Sequence, residues 1–284
     1  MRSDLVLLTG ASGFVGRQVL KALHSADRPV RIVVRDGKQE LFRDVRKIES
    51  IVTTLDLHSE DFNWWKSTLE GVDTIIHAAW NTEPGLYLQS SINLDWVITS
   101  IRIAKAAKDV GVRRFVGIGT CFEYDFTNGL LDIRTPLNPQ TPYAAAKSSV
   151  YSTLSQWLPI QGIEFAWCRL FYLFGEGENF QRLVPYLRTK LAQGEVAELT
   201  SGKQVRDFLD IERAGQIIAD IAMSDNQGAF NVCSGIPISV RALAERIADE
   251  YNSRHLLRFG ARKDNFVDPP CIVGIPNFAK RTER

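Results

Sequence analysis

The chain has 284 residues, 45% of them hydrophobic and 24% charged, which suits one large domain or two modest ones and excludes wholesale disorder or a fibrous repeat. Lys and Arg number 34 against 33 Asp and Glu, a formal net charge of +1. No global field therefore draws the molecule to nucleic acid or to an anionic membrane, and any anion site has to be local.

Only the stretch from Leu5 to Thr9 precedes the first glycine turn. That is too short for the apolar core of a signal peptide, and no apolar run nears the ~20 residues of a membrane span. Continuous apolar runs at residues 5–9, 30–34, 50–54, 74–77, 115–118 and 164–169 are the pattern of parallel strands covered on both faces. Helical patterns alternate with them over residues 15–24, 63–70, 90–110 and 143–157, with a weaker one within 37–47. Gly111 is placed to end the 90–110 helix as its C′ residue. This alternation predicts an α/β fold, a Rossmann-type doubly wound parallel sheet over residues 1–173. Past Leu173 the rhythm breaks. Helices near 183–193, 214–223 and 240–251 and strands near 198–200 and 229–233 predict a smaller, partly discontinuous C-terminal substrate lobe over 174–284, with some segments returning to the first domain. Residues 269–284, with three prolines and several charges, have the composition of a mobile end.

Cys121, Cys168, Cys233 and Cys271 are widely spaced, with no CxxC pair, and predict neither a metal site nor a redox motif. Free thiols in apolar runs point to a reducing cytoplasm.

Residues 5–16 spell strand, tight turn and helix. Gly10 and Gly13 permit the turn and the close approach of a pyrophosphate, and Gly16 lets the helix pack on the strand. The helix N-terminus, with Ser12, Phe14 and Val15, presents N–H groups to the phosphates. The spacing is G-x-x-G-x-x-G, and a structural turn also produces glycine triplets. Its position between a strand and an amphipathic helix points to a dinucleotide. Arg35 falls at the tip of the second strand and Arg17 one step past the third glycine, two cations able to flank a 2′-phosphate, which favours NADP(H). Asp36, one residue on, would bond a ribose 2′-hydroxyl and keeps NAD(H) open. Asp56 and Leu57 are placed to meet the adenine, and Ala78 and Ala79 supply small side chains along the cofactor's path. His77 has the character of a packed strand end, neither base nor ligand.

Tyr143 and Lys147 stand at i and i+4 on one helical face, with three alanines between them that keep that face low. A neighbouring cation favours phenolate, which would make Tyr143 an acid/base near neutral pH. Thr120, at a strand tip, can donate to a substrate carbonyl and share an oxyanion site with Tyr143.

The glycine loop from Thr9 to Gly16, His77-Ala-Ala79, Thr120, Tyr143-x-x-x-Lys147 and the run Arg206 to Asp210 together resemble the extended short-chain dehydrogenase/reductases, the epimerase, dehydratase and reductase group that acts on nucleotide sugars. The resemblance spans about residues 5–250. It implies that Tyr143 is the acid/base, that Lys147 binds the nicotinamide ribose and lowers the tyrosine pKa, that Thr120 orients the sugar, and that Arg206 meets the substrate's diphosphate. A surface ion pair of Arg206 with Asp207 or Asp210 is the plainer alternative. Sugar dehydratases of the group carry Asp-Glu after the threonine. Here Cys121 and Phe122 stand in those places, which disfavours dehydration, and Glu123, one position late, is a candidate substitute acid. Epimerisation beside the ketone needs a second base, and none of His24, His58, His77 and His255 falls in the expected region.

The remaining pattern is similar to 4-ketoreductases of nucleotide-linked 6-deoxyhexoses, such as the dTDP-6-deoxy-L-talose dehydrogenases and the CDP-abequose/paratose synthases. Cys121, Phe122, Phe180, Leu183 and Val184 would help to shape the sugar pocket. A 4-epimerase with tightly held NAD uses the same catalytic set, and a non-catalytic NADP-binding protein is the alternative from another class. Group members often dimerise through the two helices at 90–110 and 143–157, so a homodimer is expected with Trp96 and Trp157 facing outward as anchors. No nucleic acid, membrane or metal partner is implied.

Overall fold

The computed structural model describes residues 4–45, 47–265 and 268–278. In its first half, β1 (Val6–Thr9), α1 (Phe14–Ser25), β2 (Val30–Arg35), β3 (Ile48–Thr54), α2 (Phe62–Thr68), β4 (Thr74–His77), α3 (Ile92–Val110) and β5 (Arg114–Thr120) follow one another. The middle of the chain adds β6 (Leu130–Leu131), α4 (Pro142–Ile160), β7 (Glu164–Leu170), β8 (Tyr172–Phe174), α5 (Leu183–Ala192) and β9 (Ala197–Leu199). Last come β10 (Val205–Asp210), α6 (Ile211–Ala222), β11 (Gly228–Val232), β12 (Pro237–Ser239), α7 (Val240–Glu250), β13 (Leu257–Phe259) and β14 (Cys271–Gly274).

Seven strands form one parallel sheet in the order β11-β7-β5-β4-β1-β2-β3. The strand order reverses between β1 and β4, and in a doubly wound sheet the ligand crevice opens at that reversal. Every residue of β1 and β4 is buried, because helices cover both faces. On one side Val19 and Leu23 of α1 and Ile218 and Ile221 of α6 pack on Leu8 and Ile76. On the other, Ile103 and Ala107 of α3 and Leu154 of α4 pack on Ile75, Phe115 and Phe165. β5 begins one residue earlier than its apolar run, at a fully buried Arg114. Its guanidinium donates through Nη1 to Glu164 at 2.8 Å and through Nη2 to the Ile221 carbonyl at 2.9 Å.

The smaller part is built on the sheet β12-β10-β14-β6, with β8 also pairing β10, and on the pair β13-β9. Its own core joins Leu187 and Leu191 of α5 to Ala244 and Ile247 of α7. Segments cross between the two parts in both directions: β6 joins the small sheet, while α6 and β11 return to the large one.

Two expectations are corrected. Among the described residues of 37–47 there is no α-helix, only a 3-10 turn at Gln39–Phe42 with Phe42 as its buried anchor. Gly37, at φ 80°, breaks the chain direction before it. The stretch expected to be a mobile end contains β14, whose Ile272 and Val273 are buried between β10 and β6; four apolar residues are enough for a central strand, and residues 279–284 lie outside the described part. Among the described residues no helix is long and apolar enough to cross a membrane.

Candidate active site

The glycine loop leaves β1 at the sheet's reversal point, facing the end of β4. Gly10 has φ 75°, and a Cβ there would stand 2.7 Å from the Ala79 nitrogen. A Cβ on Gly16 would fall 2.0 Å from the Gly10 carbonyl oxygen. Both positions exclude any side chain. The N-terminus of α1, at Gly13, has no side-chain cap, as also at α3 and α5, whereas Asp61, Thr141, Asp210 and Ser239 cap α2, α4, α6 and α7. Open helix N–H groups behind a side-chain-free turn fit the pyrophosphate of a dinucleotide, held by the backbone of Gly10, Ser12, Gly13, Phe14 and Val15. Arg35 ends β2 exposed, and Asp36 turns its carboxylate onto the Gly37 N–H at 3.0 Å. The Arg17 guanidinium lies close to Gly177. Asp56 is exposed and accepts the His58 N–H, while Leu57 is buried beside Val33 and Ala79.

His77 is a structural residue. Its Nε2 reaches Ser100 Oγ, whose own proton goes to the Trp96 carbonyl, so Nε2 is the donor. Nδ1 then accepts from Thr9 Oγ1, and that oxygen in turn accepts the Ala79 N–H. Burial pushes the imidazole pKa down to about 3, so His77 is neutral.

The structure brings Thr120, Tyr143 and Lys147 together. Thr141 caps α4 with Pro142 in its first turn, and the start of α4 is tied to the preceding loop by the Tyr143 N–H bond to the Leu88 carbonyl. Tyr143 is 7% exposed, covered edge-on by Tyr87 at 4.8 Å and by Trp80 at 6.3 Å between ring centroids. Burial raises the phenol pKa, and the Thr120 side chain beside it acts in the opposite direction without overcoming that rise. Lys147 Nζ donates to the Ile118 carbonyl at 2.6 Å and sits 3.6 Å from the centre of the Trp80 ring. Burial lowers its pKa to about 7. The Lys147 amine faces a carbonyl and an indole, and burial is the largest influence on the phenol's pKa.

Trp80 and Tyr87, not singled out in the sequence, are the walls of this site. Trp96 is corrected as well. It is buried, stacked on Trp80 at 5.5 Å and bonded to Asn81, so it is no outward anchor, and Trp157 packs partly buried on the same core. The apolar side chains that α3 does expose are Leu94 and Ile98.

Behind Thr120, Glu123 is fully buried and paired with Arg169 at 2.7 Å. This corrects its candidacy as a substitute acid, since the carboxylate points into the protein. The Thr-x-x-Glu spacing is that of a capping box, and the structure has one: Glu123 accepts the Thr120 N–H at 2.8 Å, and Thr120 Oγ1 the Phe122 N–H at 3.3 Å.

On the substrate side, Phe122 and Tyr172 meet edge-on at 6.2 Å, and the buried Cys121 packs in the same cluster. Arg206, 2% exposed, lies 5.4 Å from the Tyr172 ring and 2.7 Å from Asp268. Neither expected acid is its partner. Asp207 accepts from Ser234, Gly235 and Gly274, and Asp210 caps α6. Phe180 is 75% exposed, and Val184 is buried in the small lobe's core, so it does not line the pocket. Among the described residues the four cysteines are free, and no cluster of His, Cys, Asp or Glu is able to hold a metal.

The sequence model of the NAD dependent epimerase/dehydratase family matches residues 6–233. The dTDP-6-deoxy-L-talose 4-dehydrogenase (NAD(+)) of Aggregatibacter actinomycetemcomitans is 26% identical over 281 residues, 95% of this chain and 98% of that protein. The CDP-abequose synthase of Salmonella typhimurium is 26% identical over 221 residues, 74% of this chain and 67% of that protein. Among solved structures, the UDP-N-acetylglucosamine 4-epimerase of Methanobrevibacter ruminantium M1 superposes with a TM-score of 0.82 at 22% identity, covering 97% of this chain and 90% of that one.

Proposed function

The chain belongs to the NAD dependent epimerase/dehydratase family, and from that premise we propose that it reduces the C4 ketone of a nucleotide-linked 4-keto-6-deoxyhexose. The observation that carries this reading is that Thr120 and Tyr143 stand together beside a strand tip followed by Cys121 and Phe122, whose one carboxylate, Glu123, is turned inward. Elimination of water needs an acid and a base at that tip; ketone reduction does not.

Burial keeps the Tyr143 phenol protonated at neutral pH, the form that can hand a proton to a ketone oxygen receiving electrons. Thr120 Oγ1 accepts from the Phe122 N–H, so its single proton is available to the phenol or to the developing oxyanion. A bound nicotinamide would supply the hydride, and Arg35 favours NADP(H) over NAD(H) as its carrier. Gly10, Gly13 and the first turn of α1 would hold the pyrophosphate, with Asp56 and Leu57 toward the adenine and Ala78, Ala79 and Lys147 along the rest of the cofactor. Arg206 would exchange Asp268 for the substrate's diphosphate, and Phe122 and Tyr172 would offer an apolar wall to the sugar. Two copies would join through α3 and α4, and the free thiols suit a cytoplasmic setting.

The test is direct: the purified enzyme is mixed with NADPH and dTDP-, CDP- and GDP-linked 4-keto-6-deoxyhexoses, and absorbance at the nicotinamide band is followed. Tyr143→Phe is expected to lose at least about 1,000-fold in turnover while binding NADPH within twofold of wild type. Sugar interconversion without added dinucleotide would replace this reading with that of an epimerase, and retained turnover in the phenylalanine variant would remove Tyr143 as the acid.

A further inference from the structure

A buried carboxylate stands directly behind the threonine hydroxyl, where ketone reduction has no use for an acid. Glu123 Oε1 accepts from the Thr120 N–H at 2.8 Å and from the Trp167 indole at 3.0 Å, and Oε2 accepts from Arg169 Nε at 2.7 Å. Arg169 is 1% exposed. It lies over the rings of Tyr124 and Tyr151, and donates to the Tyr124 hydroxyl, which donates in turn to Asn231. Room for this arrangement is made in β5. A Cβ on Gly119 would stand 2.4 Å from Glu123 Oε1, and one on Gly117 would meet the Trp167 ring at 2.3 Å. A buried ion pair is weak evidence for stability, since two apolar side chains of the same volume often hold a core as well or better. Its effect is better sought in what it touches.

What it touches is Thr120. The N–H of that residue is held by Glu123, and its Oγ1 is held as an acceptor by the Phe122 N–H at 3.3 Å. Backbone and side chain are fixed at both ends, and the hydroxyl is left beside the phenol of Tyr143. We propose that Glu123, paired with Arg169, is the positioning residue that aims the Thr120 hydroxyl at Tyr143. This rests on the ketone-reduction reading for what the aimed hydroxyl accomplishes, but not for where it points.

Glu123→Gln keeps the shape and removes the charge. Turnover falls about 10–100-fold, as for a misaimed oxyanion donor, while the dinucleotide Kd stays within twofold. The basic limb of the rate profile moves to lower pH, because the Glu123 charge adds to the rise that burial gives the phenol pKa; Lys147 from α4 and Arg182 beside Tyr87 are the other charged groups facing this site. Arg169→Met leaves the carboxylate uncompensated and moves the same limb to higher pH, and Arg169→Lys restores it. Loosened packing alone moves both limbs alike or neither, and that result overturns the proposal. In a Thr120→Val background Glu123→Gln costs less than a further twofold, and full additivity overturns the proposal. A crystal structure of Glu123→Gln needs no substrate: a Thr120 hydroxyl out of reach of Tyr143 supports the positioning role, and an unchanged one overturns it. Should the wild type reduce no keto-sugar, the reaction reading fails and the crystal structure still decides the role of Glu123.

Discussion

Gly16→Ala is the sharpest perturbation of the nucleotide crevice. The added methyl would lie 2.0 Å from the Gly10 carbonyl oxygen, 2.7 Å from its carbon and 3.0 Å from Ala11 Cα, where ordinary contact begins at 3.4 Å. All three are backbone atoms, so no side chain can swing aside; the turn itself has to retreat by more than 1 Å. A displacement of that size breaks two charge-assisted N–H bonds to a pyrophosphate, at about 1.5–2 kcal/mol each, and weakens dinucleotide binding about 100–1,000-fold. Overpacking costs the fold about 1–3 kcal/mol, a fall in Tm of about 3–10 °C for a chain this long. Gly162→Ala is the control. At φ 77° with nothing within 4 Å, it costs backbone strain of about 1 kcal/mol and leaves binding unchanged. Calorimetric titration with NADPH and NAD, beside thermal melts of all three proteins, reads both quantities. Gly16→Ala binding within threefold of wild type would refute the crevice as drawn.

Acidification should weaken the fold through His77. The folded imidazole has its pKa held near 3 and stays neutral, while the unfolded one takes a proton below its ordinary 6.5. Stability is therefore complete above pH 6.5 and is lost as pH falls toward 3, by about 2–3 kcal/mol at pH 4.5. Urea midpoints at pH 7 and 4.5 should converge in His77→Gln, and an unaltered difference would exclude His77 as the source. Arg206→Leu should raise KM for the nucleotide sugar about 10–100-fold through the loss of a charge-assisted bidentate contact, with dinucleotide Kd unchanged; a shift in dinucleotide affinity instead would place Arg206 outside the substrate site. Ile98→Arg, placed at an exposed apolar position of α3, should turn a micromolar dimer into a monomer by light scattering; a wild type already monomeric at that concentration removes the expected interface.

How far the sequence was legible depends on whether a feature is local. The glycine turn and the i, i+4 spacing of Tyr143 and Lys147 are each contained in a few consecutive residues, and each has its structural counterpart. Strand β10 went unseen as a strand because Val205–Asp210 carries three charges in six residues. Each charge is met by a partner far along the chain: Arg206 by Asp268, Asp207 by the N–H groups of Ser234, Gly235 and Gly274, while Asp210 turns to cap α6. Strand β14 went unseen because four residues between prolines and charges leave no period to detect.

The sign of the lysine's influence on the tyrosine shows the same limit in the chemistry. Spacing alone says that a cation lies near a phenol, and Coulomb's law then lowers the phenol's pKa. The outcome is reversed by two aromatic residues that no helical period connects to Tyr143. Trp80, just beyond β4, draws the lysine amine onto its ring face, and Tyr87, from the loop before α3, closes over the phenol. Both groups are thereby pushed toward neutrality, the phenol upward and the amine down to about 7. A neutral phenol is the useful form for protonating a carbonyl oxygen and the wrong form for taking a proton from an alcohol. The charge state of this pair in the free protein is thus governed by burial beside β4 and its following loop, and not by the spacing of Tyr143 and Lys147 alone.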